Sequence, residues 1–322
     1  MNIIDATICH ILTQLTSRYI ALPSKLVLSE EGSLFCFKID EIKTYLAYHQ
    51  NNKAKPWATV FREKLSNSHT ILLKEFSEIF RARDRGIDYL SICDDSYPYY
   101  LRQIKRPPYG MAVLGNKSFL NRPCLAVVGA RKADEMALNV AFQLSLRLAL
   151  EGATVVSGGA MGCDAAAHRG VLSANTNVCP TVAVMASGLD QLYPRFNASL
   201  FDQMKEKDAL FLSERLLGTK PKPYDFPIRN RIIAGLVQRV ILIQASRKSG
   251  AINTAYTALD EGRDVMTFLP DEEDIRFAGN RVLVEQGAKY FLNLDDYFKL
   301  NWQISDLALD ETRDSFTSPK QG

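Results

Sequence analysis

The segment from Val155 to His168 reads VVSGGAMGCDAAAH. Its β-branched start, glycine-rich middle and alanine-rich end predict a strand, a tight turn and the start of a helix. Gly158, Gly159 and Gly162 permit positive φ and a close approach of a ligand to the backbone, and the first amides of a helix have no partner within it. From Ser157 onward the segment is therefore a candidate phosphate-binding loop, although a plain strand-to-helix turn fits the same pattern.

Composition restricts the class of protein. The chain has 322 residues, of which 47% are hydrophobic and 23% are charged. These values are typical of a soluble protein with one large core and a smaller second domain. The formal net charge of +3 does not by itself indicate a nucleic-acid-binding protein, so an anionic partner would require a local cationic patch.

Cysteine spacing and apolar runs bear on the cellular location. No two cysteines are spaced as C-x-x-C, so we expect buried free thiols, with no disulfide, metal site or cofactor. No apolar run approaches the ~18 to 20 residues of a membrane helix, and the N-terminus lacks the basic flank and cleavage site of a signal peptide. We expect a cytoplasmic protein without a membrane segment. The six cysteines are Cys9, Cys36, Cys93, Cys124, Cys163 and Cys179.

The spacing of apolar residues changes along the chain. Residues 3–80 carry them at helical spacing and are followed by turn-forming segments, which predicts a small helical domain and connector over residues 1–110. Alternating strands and helices predict an α/β domain over residues 111–300. Residues 301–322 are mostly polar or acidic, which predicts a loose C-terminal tail.

Six short apolar runs after Pro123 alternate with helical patterns. Runs that are apolar throughout predict a parallel sheet covered by helices on both faces. The expected fold class is therefore α/β, an extended Rossmann-like and mostly parallel sheet, with the small helical domain before it. The predicted strands are Leu125–Val128, Thr154–Val156, Thr181–Met185, Leu210–Leu212, Val240–Ile243 and Val265–Leu269.

The loops that follow these strands form the candidate site, because ligands of a doubly wound sheet bind at the carboxyl ends of its strands. Three helices begin with paired cations, which the helix dipole disfavours by about 0.3 to 1 kcal/mol each. An anion bound at this edge would relieve the repulsion, whereas side chains that simply reach into water would need no ligand. The pairs are Arg131 and Lys132 after Gly129, Arg229 and Arg231 around Asn230, and Arg247 and Lys248 before Ser249.

One of these loops interleaves charge with aromatic rings, since Lys220, Lys222, Tyr224 and Phe226 alternate along it. The pattern suits single-stranded nucleic acid, because cations meet phosphates and unpaired bases stack on rings at about 1 to 3 kcal/mol each. For Phe226, which precedes Pro227 and an apolar helix, burial in the core is an equally good interpretation.

Catalytic constellations are missing from the sequence. The four histidines are dispersed and no G-x-S-x-G motif occurs, and the Gly129 loop lacks the three-glycine dinucleotide fingerprint. Asp164 and His168 stand one helical turn apart, so an acid–base pair is geometrically possible. A capping role for Asp164 and a packed His168 are the favoured interpretation, and we expect no enzyme activity.

The order and spacing of the loops resemble those of the DNA-processing protein A (DprA/Smf) family. The similarity covers about 175 residues and ends near Tyr297. Two positions depart from the family's pattern, because Met161 and Ile228 stand where a basic residue is common. The motifs that carry the resemblance are GAR at 129–131, SGGAMGCDAAAH at 157–168, LDQLYP at 189–194, LSE at 212–214, DFPIRNRIIAGL at 225–236, SRKSGAINTA at 246–255, ALDEGRDV at 258–265 and GNRVLVEQGA at 279–288.

The resemblance implies a homodimeric protein that binds and protects single-stranded DNA and assists the loading of a RecA-type recombinase during recombination and natural transformation. It also implies a SAM-like domain in the N-terminal region and no catalysis. The residues expected to contact DNA are Gly129, Arg131, Lys132, Ser157, Gly158, Gly159, Gly162, Lys220, Lys222, Tyr224, Arg229, Asn230, Arg231, Lys248 and Ser249.

Two other functions fit parts of the same pattern. The glycine-rich edge, with two cations replaced, would also suit a sensor that binds one nucleotide rather than a strand. A nucleoside-monophosphate hydrolase of the related lysine-decarboxylase-like group would need a P-G-G-x-G-T loop, and residues 247–254 read RKSGAINT instead.

Overall fold

The computed structural model describes residues 82, 84–92, 94–174, 178–270 and 274–299. The predicted helical domain before residue 82 and the predicted tail of residues 301–322 lie outside the described residues, as do Cys9, Cys36 and Cys93.

The described residues form nine strands and eight α-helices, with 3-10 turns at Lys117–Asn121, Arg195–Asn197 and Ile275–Phe277. The strands are β1 Ile87–Ser91, β2 Gly110–Leu114, β3 Cys124–Val128, β4 Thr154–Ser157, β5 Thr181–Met185, β6 Leu210–Ser213, β7 Arg239–Leu242, β8 Asp264–Phe268 and β9 Lys289–Phe291. The helices are α1 Tyr99–Arg102, α2 Glu135–Leu150, α3 Cys163–Leu172, α4 Ala198–Glu206, α5 Asp225–Leu236, α6 Gly250–Asp260, α7 Ala278–Glu285 and α8 Leu294–Lys299.

All nine strands belong to one sheet in the order β1-β2-β6-β5-β4-β3-β7-β8-β9. Neighbours from β6 across to β9 run parallel. At the other edge β1 pairs antiparallel with β2, and β2 pairs antiparallel with β6. The predicted mostly parallel α/β fold is confirmed, and the six predicted strands are β3 to β8 with ends shifted by at most one residue.

The sheet also extends into the segment that was predicted to be a connector. Ile87 of β1 is paired with Leu114 of β2, and Ser91 with Gly110. The apolar runs of β1 and β2 are short and are separated by turn-forming residues, so they carry little periodic signal. The described sheet therefore begins at Ile87, ahead of the predicted boundary between residues 110 and 111.

Helices cover both faces of the sheet, as continuous apolar strands require. Along β3, Leu125 and Val127 pack with one core layer, which includes Leu144 of α2. Ala126 and Val128 point to the opposite face and pack with the layer formed by α5 and α6. The sheet is thereby buried on both sides, and its carboxyl edge remains for a ligand.

The chain order reverses at β3, which has β4 on one side and β7 on the other. The loops at this point contact one another: the Cys163 amide donates to the Ala130 carbonyl at 3.1 Å, and the Asp134 amide donates to Gln244 Oε1 at 3.2 Å. A crevice is expected at such a reversal. None of the helices in the described ranges is both long and apolar enough to cross a lipid bilayer.

Candidate nucleic-acid interface

The glycine-rich segment after β4 packs tightly against the loop after β3. Gly162, at φ +77°, precedes α3, and a Cβ at this position would lie 2.2 Å from the Ala130 carbonyl oxygen. Only glycine fits both the left-handed backbone and this contact. The predicted strand, turn and helix start are therefore confirmed, and the two loops form one unit.

Asp164 occupies the amides that the sequence predicted for phosphate. Its Oδ2 accepts hydrogen bonds from the amides of Gly158 at 3.1 Å and Ala160 at 3.3 Å. Burial raises the pKa of this carboxyl, while the Arg229 guanidinium and the two amides act in the opposite direction. The prediction for Gly158 needs correction, because its amide already has an anionic partner within the protein.

Arg229 is hydrogen-bonded to the backbone of the glycine-rich segment. Its Nη1 donates to the carbonyl of Gly158 at 2.5 Å and also to the carbonyl of Val184, and only 7% of the residue is exposed. Burial lowers the pKa of Arg229 to about 10, and the Asp164 charge opposes that shift. Nη1 is thus used inside the fold, whereas the sequence predicted a direct phosphate contact. Ser157 is also committed internally, since its hydroxyl donates to the Val127 carbonyl at 2.7 Å.

His168 takes no part in an acid–base pair with Asp164. The ring is fully buried, with Nδ1 at 2.8 Å from Thr181 Oγ1. Burial lowers the pKa of His168 to about 3, so the imidazole is neutral at physiological pH. The interpretation of His168 as a packed residue agrees with this geometry, whereas the capping role expected of Asp164 is corrected: α3 has Gly162 as its N-cap with no side-chain cap hydrogen bond, and Asp164 binds loop amides ahead of the helix. Within the described ranges, no group of three His, Cys, Asp or Glu side chains is placed to hold a metal ion.

Arg231 is paired with a carboxylate instead of facing a ligand. Its Nη2 lies 2.5 Å from Glu214 Oε1, and both side chains are largely buried. A second buried pair, Arg215 with Asp225 at 2.8 Å, stands at the start of α5. Asp225 also accepts a hydrogen bond from the Lys222 amide at 2.7 Å. The prediction of Arg231 as a free cation is corrected, and these pairs instead fix the loop before α5.

A cavity of about 490 Å³ opens between the carboxyl ends of β3 and β7. The predicted residues that line it are Gly129, Arg131, Lys132, Arg229, Asn230 and Ser249.

Helix α6 begins at the wall of this cavity. The Ser249 hydroxyl accepts a hydrogen bond from the Ile252 amide at 3.3 Å, and Asn230 Nδ2 lies 3.5 Å from the Gly250 carbonyl. The positive end of the α6 dipole therefore faces the cavity, which favours an anion there.

Two cavity residues have no counterpart in the sequence prediction. Arg276 lines the cavity, and its side chain is 55% exposed between Asp134 at 3.2 Å and Asp274 at 2.6 Å. Gln244 bonds to Asp134 from the end of β7. Neither residue belongs to a cationic pair or a glycine motif, so the sequence contained no local signal for them.

Phe226 forms the wall between this cavity and a second one. The second cavity measures about 30 Å³ and is also lined by Arg131, Met161 and Tyr193. The Arg131 guanidinium lies over the Phe226 ring at 4.7 Å, and the Tyr193 ring centroid lies 6.1 Å from that of Phe226. Phe226 is half-buried, so its ring serves the site as well as the packing. Met161 is exposed and Ile228 is half-buried.

Three predicted residues extend the cationic surface beyond the first cavity. Lys220, Lys222 and Tyr224 are exposed, and Lys222 Nζ lies 5.8 Å from the centre of the Tyr224 ring. Lys248 is exposed next to Ser249 at the start of α6. Gly159 is buried instead, and a Cβ there would lie 3.2 Å from Phe201.

The fold and this edge define a Rossmann-type α/β protein with a cationic surface at the carboxyl ends of its strands. The family model described as DNA recombination-mediator protein A matches residues 88–301. The chain belongs to this family.

Similar proteins agree with the assignment. DNA processing protein DprA from Bacillus subtilis is 35% identical over 219 residues, which is 67% of this chain and 72% of that protein. DprA from Streptococcus pneumoniae is 39% identical over 199 residues, or 62% and 69% of the two chains. Its crystal structure aligns with a TM-score of 0.64 at 29% identity and covers 91% of this chain and 97% of that chain.

A further solved structure concerns DNA processing protein A from Helicobacter pylori and is described as giving insights into its unique single-stranded DNA binding mode. It aligns with a TM-score of 0.59 at 26% identity and covers 66% of this chain and 94% of that chain.

Proposed function

We propose that this protein binds single-stranded DNA along the carboxyl edge of its sheet, as an accessory of homologous recombination and DNA uptake. The observation that carries the proposal is the stacking of the exposed Arg131 on the half-buried Phe226 at the cavity wall. A cation beside an aromatic face suits a phosphate with an unpaired base next to it. Family membership and the description of the Helicobacter pylori relative support the same function.

The geometry supports two kinds of role for these residues, direct contact with DNA and support of the loops that contact it. Arg131, Lys132 and the amino end of α6 would hold phosphate in the cavity, and Lys248 would add charge beside it. Lys220, Lys222 and Tyr224 would continue the contact along the strand. Arg229, Arg231 and Asp164 would act indirectly, because they hold the loops in place.

We further propose that the protein acts by binding rather than by catalysis, since the Asp164 and His168 side chains are committed to packing and loop support. Family membership supports three further proposals: the protein is cytoplasmic, it is a homodimer, and it protects single-stranded DNA and assists a RecA-type recombinase. The division into a helical region, an α/β region up to residue 300 and a tail belongs with these proposals, with the start of the α/β region moved from residue 111 to Ile87, where β1 begins.

The test is fluorescence anisotropy with labelled oligothymidylate at several salt concentrations. Neutralising four to six phosphates gives a slope of log affinity against log salt of about −3 to −4. Arg131→Ala and Lys132→Ala should each weaken binding and make the slope shallower by about 0.7. Lys117→Ala is the matched control, because Lys117 is an exposed cation that pairs with Asp88 of β1. Absence of binding at low salt would reject the proposal.

A nucleotide sensor is the second candidate. The 490 Å³ of the main cavity falls within the range of about 300 to 1,000 Å³ that is usual for small-molecule sites. A mononucleotide that raises the melting temperature more than oligothymidylate does, at equal phosphate concentration, would favour the sensor over the DNA-binding function.

A further inference from the structure

The turn after Leu192 exposes aromatic rings to an unusual degree. Phe196 is 80% exposed and Tyr193 is 45% exposed, and Arg195 between them is exposed as well. A single exposed ring is common on protein surfaces, but two exposed rings three residues apart in one turn form a small apolar patch of the kind that another molecule can contact. The alternation of ring and cation repeats the pattern of Lys220 to Phe226 in a second part of the chain.

The turn is held rigidly against the glycine-rich segment. Asn197, which is 1% exposed, donates from Nδ2 to the carbonyls of Gly159 at 3.0 Å and Ala160 at 3.1 Å. Its own amide donates to the Pro194 carbonyl at 3.0 Å. Because neighbouring Cα atoms are about 3.8 Å apart, Phe196 is fixed at the carboxyl edge of the sheet, beside the proposed DNA-binding surface.

The rings of this turn are continuous with that surface. Tyr193 lines the small cavity together with Met161 and Phe226, and the Tyr193 and Phe226 rings are 6.1 Å apart. Arg131 covers Phe226 at 4.7 Å. Aromatic surfaces therefore lead from the cation in the main cavity to Tyr193, and the exposed Phe196 follows three residues later in the same turn.

We propose that Tyr193 and Phe196 form a stacking platform for unpaired bases of the strand whose phosphates bind at Arg131 and Lys132, with Arg195 meeting a phosphate between them. The inference rests on the proposed DNA-binding function and extends it to the bases. Duplex bases are stacked on each other and do not offer a free face, so the platform selects single-stranded over double-stranded DNA.

The test compares Phe196→Ala with the wild-type protein on oligothymidylate. Loss of one stacked base should weaken binding by about 5- to 150-fold and leave the salt slope unchanged, since no phosphate contact is removed. Phe196→Trp should retain the wild-type affinity, because it keeps a flat ring. Tyr99→Ala is the matched control, since Tyr99 is 56% exposed beside the amino end of β3.

An oligonucleotide with abasic sites separates stacking from other effects. Wild-type protein should bind it more weakly than oligothymidylate, and Phe196→Ala should cause no further loss. Equal affinity of Phe196→Ala and wild type for oligothymidylate overturns the platform while the DNA-binding function stands. A changed sedimentation mass with unchanged DNA affinity also overturns it, because the ring would then cover a second copy of the chain. If the wild-type protein binds no oligonucleotide, both proposals fail.

Discussion

Replacing Arg229 with alanine should unfold the carboxyl edge rather than merely weaken ligand binding. Nη1 of Arg229 holds the carbonyls of Gly158 and Val184, and its charge opposes the burial of Asp164. In Arg229→Ala the two carbonyls lose a donor, and Asp164 loses a positive neighbour.

The expected loss of stability is about 3 to 5 kcal/mol, because two buried carbonyls lose their donor and the buried Asp164 loses a nearby positive charge. Unsatisfied carbonyls at about 1 to 3 kcal/mol each account for much of it. At about 2 to 4 °C per kcal/mol for a domain of this size, the melting temperature should fall by roughly 6 to 20 °C. Urea unfolding followed by circular dichroism measures the change directly.

Arg131→Ala provides the comparison, because Arg131 is exposed and its loss should change stability by less than about 0.5 kcal/mol. Asp164→Asn tests the charge, since the amide oxygen can still accept from the loop. In the Asp164→Asn background, Arg229→Ala should be less destabilising by at least about 0.5 kcal/mol. An Arg229→Ala protein with wild-type stability and reduced DNA affinity would refute the reasoning and return Arg229 to the ligand site.

Three further predictions concern the same loops. The pKa of His168 is about 3 in the folded protein and 6.5 as its ordinary value, so the unfolded chain binds more protons between these values. Stability should therefore fall as pH decreases from 6.5 towards 3, by up to about 1.4 kcal/mol per pH unit, and urea titrations at several pH values should show a flatter profile for His168→Gln. Gly162→Ala would place a Cβ 2.2 Å from the Ala130 carbonyl oxygen and should destabilise the fold by more than about 2 kcal/mol. Gly152 also has positive φ but open space around it, so Gly152→Ala should lose only about 1 kcal/mol of stability. Equal losses in urea unfolding would contradict the steric explanation. Burial raises the pKa of three thiols to about 12. After treatment with an alkylating reagent, peptide mass spectrometry should find these thiols modified in urea but not in the native protein. Rapid labelling of the native protein would contradict their burial. These thiols belong to Cys124, Cys163 and Cys179.

The parallel core was predictable because burial on both faces makes β3 to β8 apolar along their whole length. Helix α2 was equally readable, since its Asp134 cap accepts from the Ala137 amide at 2.7 Å and its apolar residues recur every four positions. The strands β1 and β2 were missed because they lie among turn-forming segments, although each has five residues, as many as the predicted strand β3.

The roles of individual charges were less predictable than the fold. The sequence placed Arg131 and Arg231 both near a helix start, yet Arg131 faces the cavity, whereas Arg231 lies inside α5 and is paired with Glu214. Partner choice depends on side chains that are distant in sequence, as the separation of 17 positions between Glu214 and Arg231 shows. Local spacing identifies where cations cluster, whereas tertiary contacts decide which of them stay available.

The internal anion of the glycine-rich segment has a consequence for competition in the cell. The Asp164 carboxylate occupies the amides of Gly158 and Ala160, so these two amides are not available to free phosphate or to a nucleotide. Each remaining contact is modest alone, so tight binding requires several phosphates joined in one chain, which raises their effective concentration. Under the proposed DNA-binding function, Asp164 thereby makes affinity depend on the length of the polymer more than on the concentration of small anions.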